Sequence, residues 1–194
     1  MEYSIFDHME ECSEVEVERL LGLASPQRAE QALKYKHIFG QFACLKSYQM
    51  LLSMLRKNQM IGPDERPVFD IATHGKPRFS HLPDIHFNIS HCKNAILVAI
   101  DQRPIGVDVE RIVTPKESLV EYTMTSEEAN SIHEAPYPEI RFTELWTQKE
   151  ALLKLRGTGI QGGLKDALLD VQGATLLTRH NITQQYIYTI ASQK

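Results

Sequence analysis

The pattern of apolar and polar positions predicts helices, then strands, and then helices and strands again. After a short first strand over 3–6, apolar side chains recur at helical spacing up to Lys57 and form one stripe. Short β-branched segments bounded by turn residues follow and predict four strands in the middle of the chain. The stripe contains Phe42, Leu45, Leu52 and Leu55, and the four predicted strands cover 68–72, 85–90, 95–101 and 105–111.

Capping residues predict where the first helices begin. Ser13 followed by Glu16 predicts a capping box for a helix that runs to about Leu23. Ser25 and Pro26 are residue types preferred at the N-cap and at the first position of a helix, so they predict the start of the next one.

Later segments repeat the order of helices and strands. Because this order occurs twice, we predict two α+β halves of similar size, 1–102 and 103–194. We also expect the long helix before Lys57 to be interrupted near Gly40. The later helices are predicted over 116–122, 126–133 and 139–155, and the later strands over 167–171, 174–177 and 185–191.

Composition narrows the class of protein. Hydrophobic residues make up 42% and charged residues 24% of the 194 residues, as in ordinary globular proteins. The three cysteines form no CxxC pair, which argues against a disulfide framework or a zinc site and favours a reducing, cytoplasmic compartment. No apolar run reaches the roughly 18 residues of a membrane span. Residues 1–11 are acidic and lack the basic flank and apolar stretch of a signal peptide.

Charge is unevenly distributed along the chain. The net charge of −4 argues against general nucleic-acid binding. The segment 26–57 nevertheless contains six basic residues and one acid, Glu30. This segment is either a solvated helix face or a site for a polyanion such as a nucleotide phosphate. The basic residues are Arg28, Lys34, Lys36, Lys46, Arg56 and Lys57.

The predicted strand 105–111 places two acids on one face. Its apolar residues alternate with Gly106, Asp108 and Glu110. Carboxylates two residues apart on a strand lie about 6.6 Å apart, and side chains that lean together can share one hard cation. We expect Gly106 to leave open space beside the acids and Asp108 to face solvent. The structural alternative is a half-buried edge strand with a wet acidic face.

The predicted helix over 139–155 combines three kinds of side chain on one face. Trp146, Glu150 and Lys154 are spaced i, i+4 and i+8. An aligned indole, carboxylate and ammonium suit an anionic, partly aromatic ligand. A Glu150–Lys154 surface pair, worth about 0.3–0.5 kcal/mol, is the structural alternative. The glycines at 157 and 159 predict the end of this helix.

Two shorter segments carry polar groups near turns or strand ends. The predicted strand ending at Ser90 is followed by His91, whose imidazole suits donation to a phosphate. A hydrogen-bonded structural histidine is the alternative. Lys76, between Gly75 and Pro77, is predicted to be the one cation of a turn.

In order and spacing, these four segments resemble the signature of the Sfp-type 4′-phosphopantetheinyl transferases. That signature is (V/I)G(V/I)D, about forty residues, and then W-x-x-K-E-(A/S)-x-x-K. Here Asp108 and Trp146 are 38 positions apart. Weaker similarity reaches back to SPQR at 25–28. The four segments are GKP at 75–77, FNISH at 87–91, IGVDVERI at 105–112 and WTQKEALLK at 146–154.

The resemblance implies a fold and a reaction. The implied fold is α+β, a pseudo-dimer of two similar halves with the active site in the cleft between them, and the single-chain form is expected to be monomeric. The implied reaction transfers 4′-phosphopantetheine from coenzyme A to a serine of an apo acyl carrier or peptidyl carrier protein. It depends on Mg²⁺, releases 3′,5′-ADP and serves fatty-acid or secondary-metabolite biosynthesis.

The resemblance also implies roles for the acids and for one lysine. Asp108, Glu110 and Glu150 match the carboxylates that bind Mg²⁺. Glu150 matches the family's candidate general base as well, and because a metal ligand is a poor base, ligation is the favoured role. Deprotonation by Glu150 or by a metal-bound water stays a hypothesis. Lys154 matches the lysine that contacts the pyrophosphate.

Further positions match cofactor contacts of the family. Arg28 and His91 match residues that bind coenzyme A phosphates, the 3′-phosphate in particular, and Lys76 and Ser90 match additional contacts. One departure is Gln31, where some members have a lysine, and either Lys34 or Lys36 is expected to substitute for it. Trp146 and Lys149 match the family's motif in the segment 146–154. The resemblance implies that they place the helix as much as they contact the ligand.

Two other classes of function fit parts of the same pattern. The acids and cations also suit a Mg²⁺-dependent hydrolase of nucleotide pyrophosphates that acts on substrates similar to coenzyme A. A non-catalytic module that binds coenzyme A or a carrier protein is a further alternative. Its expected decay of catalytic residues is not seen, because Asp108, Glu110, Glu150 and Lys154 are all present.

Overall fold

The computed structural model describes residues 1–71, 75–159, 163–171 and 173–194. In its first part, one strand and three helices precede four further strands. These elements are β1 (Glu2–Phe6), α1 (Glu14–Leu21), α2 (Pro26–Leu33), α3 (Ile38–Lys57), β2 (Phe69–Ile71), β3 (Pro77–Phe79), β4 (His86–His91) and β5 (Ile96–Asp101).

The second part has one strand, three helices and two more strands among its described residues. These are β6 (Ile105–Arg111), α4 (Glu117–Thr123), α5 (Ser126–His133), α6 (Pro138–Arg156), β7 (Ala174–Asn181) and β8 (Tyr186–Gln193). Short 3₁₀ turns lie at Met9–Glu11 and Ala167–Leu169. No described helix is long and apolar enough to span a membrane.

The first helices begin where their capping residues predict. The Ser13 hydroxyl accepts from the backbone N–H of Glu16 at 3.3 Å, and the Ser25 hydroxyl accepts from that of Arg28 at 3.2 Å. The capping box predicted at Ser13 forms only in part, because the Glu16 carboxylate pairs with Arg19 at 2.7 Å.

The helical segment up to Lys57 is interrupted as predicted, but the break lies over 34–37, before Gly40 and not at it. The chain leaves the helical path between α2 and α3, and Gly40 lies inside the first turn of α3. A Cβ atom at Gly40 would lie 2.6 Å from Cδ1 of Tyr35, so the glycine allows this ring to pack against the start of the helix. The glycine therefore serves a close contact and does not break the helix.

Two strand predictions need correction, and the others match within a few residues. β3 lies where only a turn is predicted, and it pairs antiparallel with β2. The segment 167–171, predicted to be a strand, begins with a 3₁₀ turn because Ala167 packs against Leu153 of α6. Ala72, the last residue of the strand predicted over 68–72, lies outside the described residues.

Two three-stranded antiparallel sheets form the framework of the described residues. One has the order β1-β5-β4 and the other the order β6-β8-β7. Each sheet is accompanied by one long helix, α3 in the first half and α6 in the second. The protein is thus a mixed α/β fold with antiparallel sheets, as predicted. The boundary predicted at 102–103 falls between β5 and β6, and the division into two pseudo-symmetric halves stays a prediction.

Strand β5 contributes to two hydrophobic clusters at once. Ile96, Val98 and Ile100 pack in the cluster that contains α3 side chains. Leu97 and Ala99, on the opposite face, pack in the cluster formed by β6 and β8. Because both faces are buried, this strand has an unbroken apolar sequence and no polar alternation.

Strands β4 and β6 lie side by side and are joined by side chains. The side-chain oxygen of Asn88 accepts from the backbone N–H of Val107 at 2.8 Å, and the Ser90 hydroxyl accepts from that of Val109 at 3.3 Å. These bonds satisfy backbone donors on β6 that would otherwise be buried without partners. They bring the end of β4 to the face where the acids of β6 lie.

Candidate active site

Three elements bring Asp108, Ser90 and Lys154 together at the junction of the two sheets. Asp108 on β6 is 2% exposed and accepts a hydrogen bond from the Ser90 hydroxyl on β4 at 2.8 Å. The Lys154 ammonium on α6 lies 2.6 Å from the same carboxylate oxygen and 3.2 Å from the Ser90 hydroxyl. The predicted site residues from these three motifs therefore form one connected cluster.

Gly106 makes this cluster possible by allowing α6 to approach β6. A Cβ atom there would lie 2.1 Å from the carbonyl oxygen of Ala151 and 2.2 Å from the backbone nitrogen of Leu155. The open space predicted beside Gly106 is therefore filled by the backbone of α6. The prediction that Asp108 faces solvent is wrong for the same reason, since the helix covers that face of the strand.

The three acids predicted to bind metal share one electrostatic environment. Burial, followed by the negative charge of Asp108, raises the pKa of Glu110 to about 7, and Glu150 contributes in the same direction. Burial and the Asp108 charge also raise the pKa of Glu150, which is 8% exposed. Lys154 opposes both shifts. The site thus concentrates negative charge that one lysine offsets only in part.

Two carboxylate oxygens in this site are buried and lack a hydrogen-bond partner among the described residues. They are Oδ2 of Asp108 and Oε1 of Glu150. Unpaired carboxylate oxygens are costly to bury, and they are the ligand type that Mg²⁺ prefers. The donor set of Asp108, Glu110 and Glu150 therefore fits a hard divalent cation in its chemistry.

Asp108, Glu110 and Glu150 are not arranged as a preformed metal site. Across residues 1–71, 75–159, 163–171 and 173–194, no three His, Cys, Asp or Glu side chains are grouped closely enough to hold a metal ion. Lys154 supplies the positive charge beside Asp108 in this arrangement. The surface pair considered for Lys154 and Glu150 is replaced by this more buried pair.

Lys76 is placed at the site, but its ammonium binds the protein backbone. It donates to the carbonyl oxygens of Ile105 at 2.8 Å and Lys154 at 2.6 Å. The second bond satisfies one of the carbonyls left unpaired at the end of α6. Burial lowers the pKa of Lys76 to about 8. Lys76 thus connects the turn before β3 with the helix that carries Glu150 and Lys154.

Arg28 and His91 line one cavity of about 600 Å³. The Arg28 guanidinium lies 5.2 Å from the ring centroids of both Tyr48 and Phe69, and it donates to the Cys44 sulfur at 3.6 Å. Partial burial and the charge of Lys154 lower the pKa of His91. The two predicted phosphate-binding residues are therefore brought to the same open space.

Gln31, at a position where some members of the resembled family have a lysine, lies in the wall of this cavity. Gln31 and Lys34 both line it, and Lys34 also pairs with Glu30 at 3.0 Å. Lys36 is not among the lining residues. Of the two lysines expected to substitute for the missing cation, Lys34 is the better placed.

A smaller cavity of about 210 Å³ adjoins the cavity that contains Arg28 and His91. Its wall includes Lys154, which binds Asp108. The smaller cavity is also lined by Lys76, and it shares Gly75, Pro77 and Ile89 with the larger cavity. A ligand that extends across both cavities would contact cations at each end.

Trp146 and Lys149 have structural positions. Trp146 packs against Phe142 with ring centroids 5.8 Å apart, so it belongs to the core and not to the face of Glu150 and Lys154. Lys149 is fully buried; its ammonium lies 2.6 Å from Glu128 and donates to the carbonyl oxygen of Thr123 at 2.9 Å. The predicted mixed face is therefore wrong for Trp146, because the helix turns this side chain towards α4 and α5.

Asn88, Glu128 and Thr189 are supporting residues that the sequence prediction missed. Thr189 lies opposite Asp108 in the β6–β8 pairing, and its hydroxyl lies 2.9 Å from that of Thr147 on α6. Asn88 carried a usable signal, since a polar residue inside an apolar strand has to find a partner. Glu128 carried none beyond its position in a capping box.

Comparison with known proteins shows which enzymes this chain is similar to. Residues 104–193 match the model of the 4′-phosphopantetheinyl transferase superfamily. The chain is 27% identical over 151 residues to the 4′-phosphopantetheinyl transferase psf-1 of Bacillus pumilus, covering 77% of this chain and 64% of the relative. It is 29% identical over 151 residues to the 4′-phosphopantetheinyl transferase Sfp of Bacillus subtilis strain 168, covering 76% and 66%. The chain is therefore similar to the 4′-phosphopantetheinyl transferases, and its residues 104–193 carry the match to the superfamily model.

A further relative is similar over a shorter part of the chain. Over 89 residues the chain is 35% identical to the 4′-phosphopantetheinyl transferase AcpT of Salmonella typhimurium, covering 43% of this chain and 46% of the relative. The chain spans just under two thirds of the length of the Bacillus relatives named above. The predicted resemblance to the 4′-phosphopantetheinyl transferases is confirmed, and the comparisons give no support to the pyrophosphate hydrolase alternative.

Proposed function

We propose that this protein transfers 4′-phosphopantetheine from coenzyme A to a serine hydroxyl of an apo acyl carrier or peptidyl carrier protein. The observation that carries this proposal is the cluster of Asp108, Ser90 and Lys154, whose lysine lines the smaller of two adjoining, cation-lined cavities. The proposal also rests on the names of the relatives, which are all 4′-phosphopantetheinyl transferases.

The cavities suggest how coenzyme A is bound. Arg28 and His91 would hold the 3′-phosphate in the larger cavity, with Lys34 as an additional cation at its edge. The pyrophosphate would reach the smaller cavity, where Lys154 is available. We expect the Lys154 ammonium to exchange its bond to Asp108 for one to a phosphate oxygen when the substrate is bound. Lys76 and Ser90 would then act by positioning Lys154 and Asp108.

In the proposed reaction the serine oxygen forms a bond to the phosphorus attached to pantetheine. The bond from that phosphorus to the bridging oxygen breaks, and 3′,5′-ADP leaves with the electron pair. Lys154 would stabilise the charge that develops on the leaving phosphate. The serine proton passes to a carboxylate, and Glu150 suits this role because burial and the Asp108 charge raise its pKa.

Asp108, Glu110 and Glu150 would hold a magnesium ion in the active protein. When bound, Mg²⁺ supplies charge compensation for the pyrophosphate. The unpaired oxygens of Asp108 and Glu150 support this assignment. If Glu150 is fully engaged in ligation, the proton has to reach another acceptor, so ligation and base catalysis by this residue compete. A cytoplasmic location and a monomeric state stay predictions.

A mass assay tests the proposed function. The protein is incubated with coenzyme A, Mg²⁺ and one of several apo carrier proteins, and the carrier is weighed. We expect the mass of one phosphopantetheine on the carrier and none on a carrier whose acceptor serine is replaced by alanine. No modification of any carrier would overturn the proposal, and free 4′-phosphopantetheine without modified carrier would indicate a hydrolase.

A further inference from the structure

A third cavity, smaller than the two described above, lies away from the proposed active site, between α1 and the C-terminal part of α3. Its volume is about 130 Å³. It shares no lining residue with the cavity that contains Arg28 and His91. Leucine side chains form much of its wall, and two arginines, a tyrosine, Gln49 and Ser53 contribute polar groups. Its wall includes Leu20, Leu23, Leu45, Leu52, Tyr48, Arg56 and Arg66.

Three polar atoms of the lining side chains are buried without a partner among the described residues. They are Nε and Nη2 of Arg56 and the hydroxyl oxygen of Tyr48. Tyr48 is 1% exposed. Buried donors are normally satisfied, because an unpaired one loses its bonds to water without replacement. Three such atoms on two residues of one cavity indicate that a ligand completes them.

The two unpaired nitrogens of Arg56 define the chemistry of the ligand. Nε and Nη2 lie on one edge of the guanidinium and present two parallel N–H groups, which match the two oxygens of a carboxylate. Arg66, at the exposed side of the cavity, adds a second positive charge. The lining includes no aspartate or glutamate. An anion is therefore favoured over a neutral ligand.

The walls and the volume limit the rest of the ligand. The four leucines offer an apolar environment for an aliphatic chain. The cavity volume of about 130 Å³ is far below the about 600 Å³ of the cavity that contains Arg28 and His91, which favours a chain of a few carbon atoms. We propose that this cavity binds a short aliphatic carboxylate, held by the Nε–Nη2 edge of Arg56 and by the Tyr48 hydroxyl.

The position of Tyr48 connects this cavity with the proposed coenzyme A site. The Arg28 guanidinium lies over the Tyr48 ring, 5.2 Å from the ring centroid, and the same tyrosine lines the leucine-walled cavity. A Tyr48→Phe variant keeps the ring beneath Arg28 and removes only the hydroxyl. It therefore tests the carboxylate site without replacing a residue of the transferase site.

Calorimetric titration of the protein with sodium butyrate, at constant ionic strength and without coenzyme A, tests the proposal. We expect one saturable site, with no binding of neutral butyramide and weaker binding of chloride and inorganic phosphate. Arg56→Lys keeps the charge and removes the two-nitrogen edge, and Tyr48→Phe removes one donor. Each variant is expected to weaken butyrate binding by about tenfold, as for the loss of a hydrogen bond to a charged group.

Lys57→Met is the matched control, because Lys57 is an exposed cation of the same helix that does not line this cavity. It is expected to leave butyrate affinity unchanged. Absence of saturable butyrate binding overturns the proposal, as does equal binding by Arg56→Lys. Tighter binding of phosphate or chloride than of butyrate overturns the carboxylate assignment. Because coenzyme A is absent, these outcomes do not depend on whether the protein is a transferase.

Discussion

The carboxylate of Asp108 and the ammonium of Lys154 lie 2.6 Å apart, although 46 residues separate them in the chain. Asp108 is on β6, an edge strand of the β6-β8-β7 sheet, and Lys154 is in the last turn of α6, which packs on this strand. Their pairing connects the segments 105–112 and 146–154 of the sequence signature in a single contact. It also explains why Asp108 is stable in a buried position, since an unpaired carboxylate would be costly there.

Replacing Asp108 by asparagine is expected to affect both activity and stability. The variant keeps the shape of the side chain but removes its charge, which leaves the Lys154 ammonium without its partner. We expect a loss of about 2 kcal/mol in the free energy of unfolding, measured by urea denaturation, and loss of phosphopantetheine transfer by mass assay. Glu127→Gln, at an exposed acid on α5, should change the free energy of unfolding by less than about 0.5 kcal/mol. Full activity of Asp108→Asn would exclude the carboxylate from the reaction.

Gly106→Ala is expected to destabilise the protein by about 3 kcal/mol, because a Cβ atom cannot fit against the backbone of α6. Urea denaturation gives the magnitude. Gly22→Ala is the matched control: Gly22 has a helical φ of −63°, and an added Cβ would meet the Arg19 carbonyl oxygen at an ordinary 3.5 Å. That change should be neutral or slightly stabilising. Similar effects of the two substitutions would contradict the close approach of β6 and α6.

Lys76 gives the stability a specific pH dependence. Burial lowers its pKa to about 8, below its value in the unfolded chain, so the unfolded state binds more protons between about pH 8 and 10.5. The free energy of unfolding should therefore rise with pH in this window through Lys76. We expect the difference between the wild type and Lys76→Met to grow from pH 8 to pH 10 in denaturation experiments. A constant difference would show that Lys76 titrates normally.

Removing Lys149 tests whether its role is structural. Lys149→Met leaves Glu128 and two carbonyl oxygens without their buried partner, and we expect a loss of about 3–5 kcal/mol in the free energy of unfolding. The double variant Lys149→Met/Glu128→Gln should recover part of this loss, since the isolated charge is gone. A normal stability combined with lost transfer would instead place Lys149 in the reaction.

Removing magnesium tests the assignment of the three acids. We expect EDTA to stop phosphopantetheine transfer and added Mg²⁺ to restore it. Mg²⁺ should also raise the melting temperature of the wild type, because a ligand that binds only the folded state stabilises it. Asp108→Asn should show a much smaller rise. An equal rise in both proteins would place the ion elsewhere.

Much of the fold could be predicted because periodicity and capping are local properties. α5 was predicted within its observed bounds, and β6 and the long helix α6 within a residue of theirs. β3 escaped prediction because three residues carry too little periodicity to distinguish a strand from a turn. Gly40 misled the prediction because the reason for this glycine is a contact with Tyr35 outside the helix.

The sequence predicted which residues form the site better than it predicted how they are arranged. The motif resemblance selected Asp108, Ser90 and Lys154, which the structure brings into contact. Burial of Asp108 could not be predicted from alternation alone, because it depends on a helix that begins some thirty residues later. The backbone bonds of Lys76 were equally inaccessible, since nothing in a sequence states which carbonyl a lysine reaches.

Strand β5 has consequences for how a substrate enters. Because one face of it packs beneath α3 and the other on β6 and β8, the strand is a wall shared by both interiors. A movement that separated the two sheets would expose Leu97 and Ala99 of β5 to water. Its free-energy cost grows with the apolar area that is uncovered. Loading through the existing mouths of the cavities avoids that cost. We therefore expect ligands to enter without a movement of the two sheets relative to each other.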